Sequence, residues 1–189
     1  MRVIQKHTGI KWVLKIQQSN MATKLFINRT DMIRNSVMDA NINSDKFIQF
    51  LKIAQEITIQ SYLGTDLYDK ITSLLPTAID DAANSDYKTL LNDYIQPALI
   101  HWAQVEYYPY AAIEVRAGGV FRHVAENAET ASRLDVDYLV EKERTHAEWY
   151  TRRMLDYLSQ NNSKYPEYST NSGSDVFPQY DSLFNGWVL

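Results

Sequence analysis

Cysteine is absent from the whole chain, which excludes a disulfide framework, a thiolate nucleophile and any cysteine metal site. That absence fits a reducing compartment. No apolar run approaches the roughly 20 residues that a membrane-spanning helix requires, so no membrane contact is expected. Catalytic signatures are missing too. There is no His-Glu-x-x-His, no Gly-x-Ser-x-Gly, no Walker loop and no dinucleotide glycine pattern. An enzyme is not expected, and neither is a cofactor.

What is present suits one domain with a real hydrophobic core: 189 residues, 45% hydrophobic and 22% charged. The net charge of −4 is unevenly spread. Residues 1–20 hold Arg2, Lys6, Lys11 and Lys15 and no acid. Setting those four aside, 15 basic and 23 acidic side chains remain, a net of −8. Duplex DNA is held by clustered Lys and Arg, so an acidic body can touch it only locally. The apolar stretch at Trp12–Leu14 is broken by Lys15 and is too short for a signal sequence. Residues 1–20 read as an N-terminal extension, with Met21 an alternative start.

Helical periodicity dominates from there to residue 159. Thr30-Asp31 signals an N-cap for a short first helix, and Asn43-Ser44 opens the next. Phe47, Phe50, Leu51, Ala54, Ile57, Ser61 and Tyr62 then recur at helical spacing up to Gly64, a C′ glycine. Thr65 is expected to cap DLYDKITSLL, which ends at Pro76. Ser85 is expected to cap a long helix through Tyr108, kinked at Pro97 because proline lacks the N–H. The last helix, from Leu134 to Leu158, places Val136, Val140, Ala147, Tyr150, Met154 and Tyr157 on one face.

Between the two longest helices lies EYYPYAAIEVRAGGVFRHVAEN. An aromatic elbow is expected at Pro109, followed by flexible Gly118-Gly119 and a short β segment from Val120. Arg116, Arg122 and His123 flank the glycines and Phe121, and together they form a candidate contact loop for DNA or protein. A solvated hairpin is the plainer reading. Residues 160–189 lose helical period but carry Tyr165, Tyr168, Phe177, Tyr180, Phe184 and Trp187. Large aromatics on a polar string read as a docking arm; packing back on its own bundle is the alternative. The expected fold is therefore mainly α: a small helical bundle over 21–159, a short β-like excursion and an extended C-terminal arm over 160–189.

One metal-like pattern stands out, Glu143-Arg144-Thr145-His146. Di-iron bundles use two Glu-x-x-His motifs and two further Glu. A second copy is lacking here, since Ala98 stands three residues before His101. The pair is expected to be a surface Glu and His at ordinary helical spacing, with no metal.

The layout resembles the head-to-tail connector (adaptor, head-completion) proteins of tailed bacteriophages, of the type found in crAss-like and other Bacteroidetes phages. The likeness rests on QEITIQSYLGTDLYDKI, LLNDYIQPALIHWAQVEYYPY, the AGGVFRHV excursion and the tail ending NGWVL, and covers about residues 22–189. It implies a structural virion protein without catalysis. Copies would form a homo-oligomeric ring, typically twelvefold, between the portal protein and the next ring or tail protein at the portal vertex. Packaged DNA would pass through the channel, with the Gly118-Gly119 loop touching DNA or a neighbour. Location in the virion follows, with host cytoplasm during assembly. The alternatives are a cytoplasmic helical interaction module, and a metal bundle using Glu143 and His146. The resemblance also predicts that removing residues 160–189 leaves a folded monomer that cannot assemble.

Overall fold

The computed structural model describes residues 24–36, 44–111, 113–116, 119–122, 132–170 and 175–179, with 44–46, 114–116 and 119–122 described as backbone alone. The chain is mainly α-helical, a small bundle with one short β-hairpin. Helix α1 (Arg29–Arg34) is capped by Asn28, whose side chain accepts from the Asp31 amide, rather than by Thr30. Helix α2 (Ser44–Ile53), a π segment (Ala54–Ile59) and α3 (Gln60–Leu63) form one continuous rod. It stops at Gly64, where φ of 74° suits a residue without Cβ. Helix α4 (Thr65–Leu74) follows at once.

Thr65 makes no cap for α4. Its hydroxyl instead accepts from the Val176 amide, and its own amide donates to the Val176 carbonyl. The Gln179 amide reaches the Ser61 carbonyl beside it. The corner between α3 and α4 is thus a backbone dock for residues 176–179 of the same chain.

The second rod comprises α5 (Ser85–Thr89), a π segment (Leu90–Ile95) and α6 (Gln96–Ala111). Ser85 does not cap it; Asn84 precedes α5 without a side-chain cap bond. Pro97 has no N–H for the Asp93 carbonyl four residues back. The wider π turn sits immediately before it, and Arg153 donates to the Asp93 carbonyl at 3.0 Å while its guanidinium lies over the Tyr94 ring. A π segment with an external donor therefore stands where Pro97 breaks the helical hydrogen-bond ladder. Pro109 is no elbow: α6 runs through it to Ala111. Strands β1 (Ile113–Arg116) and β2 (Gly119–Arg122) then pair antiparallel, from Ile113 opposite Arg122 to Arg116 opposite Gly119.

Helix α7 (Arg133–Gln160) opens with a capping box between Ser132 and Asp135. It runs antiparallel to α6. Tyr94 stacks on Tyr157, and seven residues further along α6 and seven back along α7, His101 stacks on Tyr150. This two-turn repeat gives the seam a heptad-like register. Helix α6 also packs on α2, so it is apolar on more than one side, and Leu99 and Ala103 are fully buried with Phe47, Leu51 and Met154.

The body does not end at residue 159. Helix α8 (Pro166–Thr170) packs on α4. Tyr165 is 0% exposed, donates to the Asp86 carbonyl and meets the Tyr157 hydroxyl at 3.1 Å. Burial and its hydroxyl contact with Tyr157 push its phenol pKa up. Tyr168 is also in the core. These two are therefore not free docking beads. Their rings fill the space between α4, α5 and α7, and removing residues 160–189 would open the core instead of leaving it intact.

Candidate functional site

Three chemically active side chains meet across the α6–α7 seam. Glu143 and His146 are one turn apart on α7, which puts them on neighbouring positions of one face. The antiparallel register brings His101 of α6 opposite them. His101 Nδ1 lies 2.6 Å from Glu143 Oε2, and His146 Nδ1 lies 3.8 Å from the same oxygen. One ligand atom from each residue lies within 4.8 Å of the other two.

Glu143 is not the surface residue that the sequence led one to expect. It is 7% exposed, while His146 is about half exposed. A buried carboxylate costs several kcal/mol unless it is paired. Among the described residues the ion pairs found for Glu143 are with these two imidazoles, and no Lys or Arg joins them. The ring of Tyr150 lies 5.0 Å from His101 at 11°, and His146 meets His101 edge-on, so neighbours fix the imidazole plane. Tyr108, one more heptad step along α6, donates to Gln104 and has its pKa pushed up to about 12, by burial first and then by the Glu143 charge. A pocket of about 210 Å³ adjoins the cluster, lined by His101 and Tyr150 with Asn35, Asn92, Gln96, Pro97 and Ile100.

A second feature is the start of α7. From Arg133 to Lys142 no side chain is buried, and Leu134 and Tyr138 are 79% and 66% exposed. With 3.6 residues per turn, Leu134, Tyr138 and Trp149 fall on one side of the helix, well away from Glu143 and Ala147. Trp149 is 56% exposed. The segment is about 15 Å of helix with an apolar stripe turned to solvent.

The residues singled out from the sequence are distributed differently. The hairpin register puts Arg116 at the tip, opposite Gly119, and Arg122 at the base, opposite Ile113, so the ladder holds the two arginines at opposite ends. Phe121 lies between, opposite Glu114. Gly118 and His123 lie outside the described residues. Of the arm, Tyr165 and Tyr168 are core, Phe177 is 70% exposed, and Tyr180, Phe184 and Trp187 lie outside the described residues. Sequence reasoning set His101 aside, because Ala98 and not a Glu stands three residues before it. The signal lay in the step of seven from Tyr94, which becomes readable once Tyr94 is paired with Tyr157.

Fold and site together define a small helical protein whose seam carries a His-Glu-His cluster and whose longest helix overhangs its body. The chain belongs to the Family of unknown function (DUF6712), whose model matches residues 59–178, more than half of its length. No curated protein and no solved structure matches it. The matched span begins at the end of the first π segment and reaches the docked segment at Val176–Pro178. It therefore contains the seam, the overhang and the arm's return.

Proposed function

We propose that this chain is a structural ring subunit of the phage head-to-tail connection, joining the portal protein to the next ring or tail protein. The observation that carries the reading is the overhanging, apolar-striped start of α7. A closed ring requires a heterologous contact, in which one patch of a subunit seats on a different patch of the next. A rigid helix extending beyond its own core, with Leu134, Tyr138 and Trp149 on one side, has the form of such a patch. The occupant we assign to it is a second copy of this chain. Aromatic anchors of this kind dominate interface energetics.

The hairpin contributes the loop of the ring subunit. Arg116, Gly118, Gly119, Phe121, Arg122 and His123 are its contact residues toward packaged DNA or a neighbouring ring. Phe177, Tyr180, Phe184 and Trp187 are the remaining candidates for an arm that reaches a partner. Copy number twelve, the portal vertex and passage through host cytoplasm come with the connector resemblance. The test is the mass of the full chain by light scattering over a concentration range, alone and mixed with a phage portal protein. A discrete ring or a portal-dependent assembly, lost in Leu134→Asp/Tyr138→Asp, supports the reading. A monomer under every condition overturns it in favour of a helical interaction module.

A further inference from the structure

We infer that His101, Glu143 and His146 bind one divalent first-row transition ion across the α6–α7 seam, with Zn²⁺ the natural probe. The donor set is two imidazole nitrogens and one carboxylate oxygen. That combination suits Zn²⁺ or Fe²⁺, and it is a poor set for Mg²⁺ and Ca²⁺, which take oxygen. Two helices supply it, as a site that fixes helix pairing requires.

The distances carry the inference. Ligands at about 2.0–2.2 Å from a tetrahedral ion stand about 3.3 Å apart. The two separations to Glu143 Oε2, 2.6 and 3.8 Å, straddle that value. The third lies within 4.8 Å, and it closes by rotation of His146, the exposed member of the set. Both imidazoles present Nδ1 to a single carboxylate oxygen. An ordinary buried ion pair requires one such partner, and the second imidazole is what a shared cation explains.

Burial and placement agree. Glu143 is an acid in the interior with no Lys or Arg paired to it among the described residues, and an ion would supply the missing positive charge without a proton. Three protein ligands leave a position open. The adjoining pocket, which shares His101 and offers Asn92 and Gln96, has room for a water there. Glu143 is also the first buried residue of α7. The ion would clamp α7 to α6 at the point where the overhang leaves the body. This is a single-ion site, distinct from the two-motif di-iron arrangement, and it does not depend on the ring reading, since it is read on the chain in solution whether or not it assembles.

The experiment is calorimetric titration of the full chain, freed of metal with chelator and dialysed, with ZnCl₂ and separately with MgCl₂. One Zn²⁺ per chain is expected, with no Mg²⁺ heat. His101→Ala and His146→Gln should each weaken Zn²⁺ binding at least about tenfold, while the His7→Ala/His123→Ala double variant should match wild type. His146 is half exposed, so His146→Gln should melt like the metal-free wild type and lose the rise in Tm that Zn²⁺ produces. Co²⁺ should give the visible band of a four-coordinate site, absent in His101→Ala. Failure of folded wild type to bind at millimolar Zn²⁺, or undiminished binding in both His101→Ala and His146→Gln, would overturn the inference.

Discussion

The two parts of α7 share one helix and differ in what they bury. From Glu143 onward the helix buries Glu143, Ala147, Thr151, Met154 and Leu158, and the Trp102 indole donates to the Thr151 hydroxyl at 2.9 Å. Before Glu143 it fully buries nothing; Val136 and Val140 continue the same stripe but are only partly buried. The periodicity is unbroken across the boundary. What changes is whether α6 is opposite. Helical pattern thus reports the shape of a surface, and a partner, from within the chain or outside it, decides whether that surface is buried.

Changes in the packed part should have the largest effect. Tyr165→Ala removes a fully buried ring that touches Tyr87 and Tyr157 and two hydroxyl contacts. A loss of about 3–5 kcal/mol is expected in denaturant unfolding, as for other buried aromatics. A loss below about 1 kcal/mol would show that residues 161–170 are an appendage after all. Arg153→Ala strips the donor from the Asp93 carbonyl and the cation from Tyr94. Because Arg153 is solvent-exposed, about 1 kcal/mol is expected, and amide exchange should quicken around the π segment before Pro97.

The overhang should respond locally. Ser132→Ala breaks the capping box and should cost about 1 kcal/mol of helix stability, seen as exchange confined to the first turns of α7. Asp135 adds a pH signature there. Its hydrogen bonds from Ser132 hold its carboxyl below the ordinary value of 3.8. A lowered folded pKa stabilises the folded end above the ordinary value, and the contribution disappears as pH falls through the lowered one. The start of α7 should therefore fray in acid below about pH 4, and Ser132→Ala should remove that step. The smallest effect on stability belongs to Leu134→Asp and Tyr138→Asp. Both side chains are exposed, so Tm should hold and unfolding free energy should stay within about 0.5 kcal/mol of wild type.

Local chemistry made much of the fold legible. Gly64 ended its helix, Pro97 disturbed its own, and the short β segment expected from Val120 pairs in a ladder with Ile113–Arg116. The errors have a common source in long-range pairing. Thr65 looks like a cap until Val176 arrives to take its hydroxyl. Pro109 looks like a break, yet α6 carries on with Tyr107 and Tyr110 packed on Phe50. Tyr165 looks like a bead on a string because nothing within ten residues announces Asp86 or Tyr87 as its partners. His101 was set aside for the same reason: Glu143 is 42 positions away and meets it through the helix register alone.

The central claim is that the start of α7 is an interface awaiting a second copy. It is tested most directly by light scattering of the full chain beside Leu134→Asp/Tyr138→Asp, each with and without the portal protein. A discrete ring is expected for the wild type, alone or on the portal, and a folded monomer of unchanged Tm for the double variant. A wild type that stays monomeric with the portal present, or a double variant that assembles as well as the wild type, would contradict it.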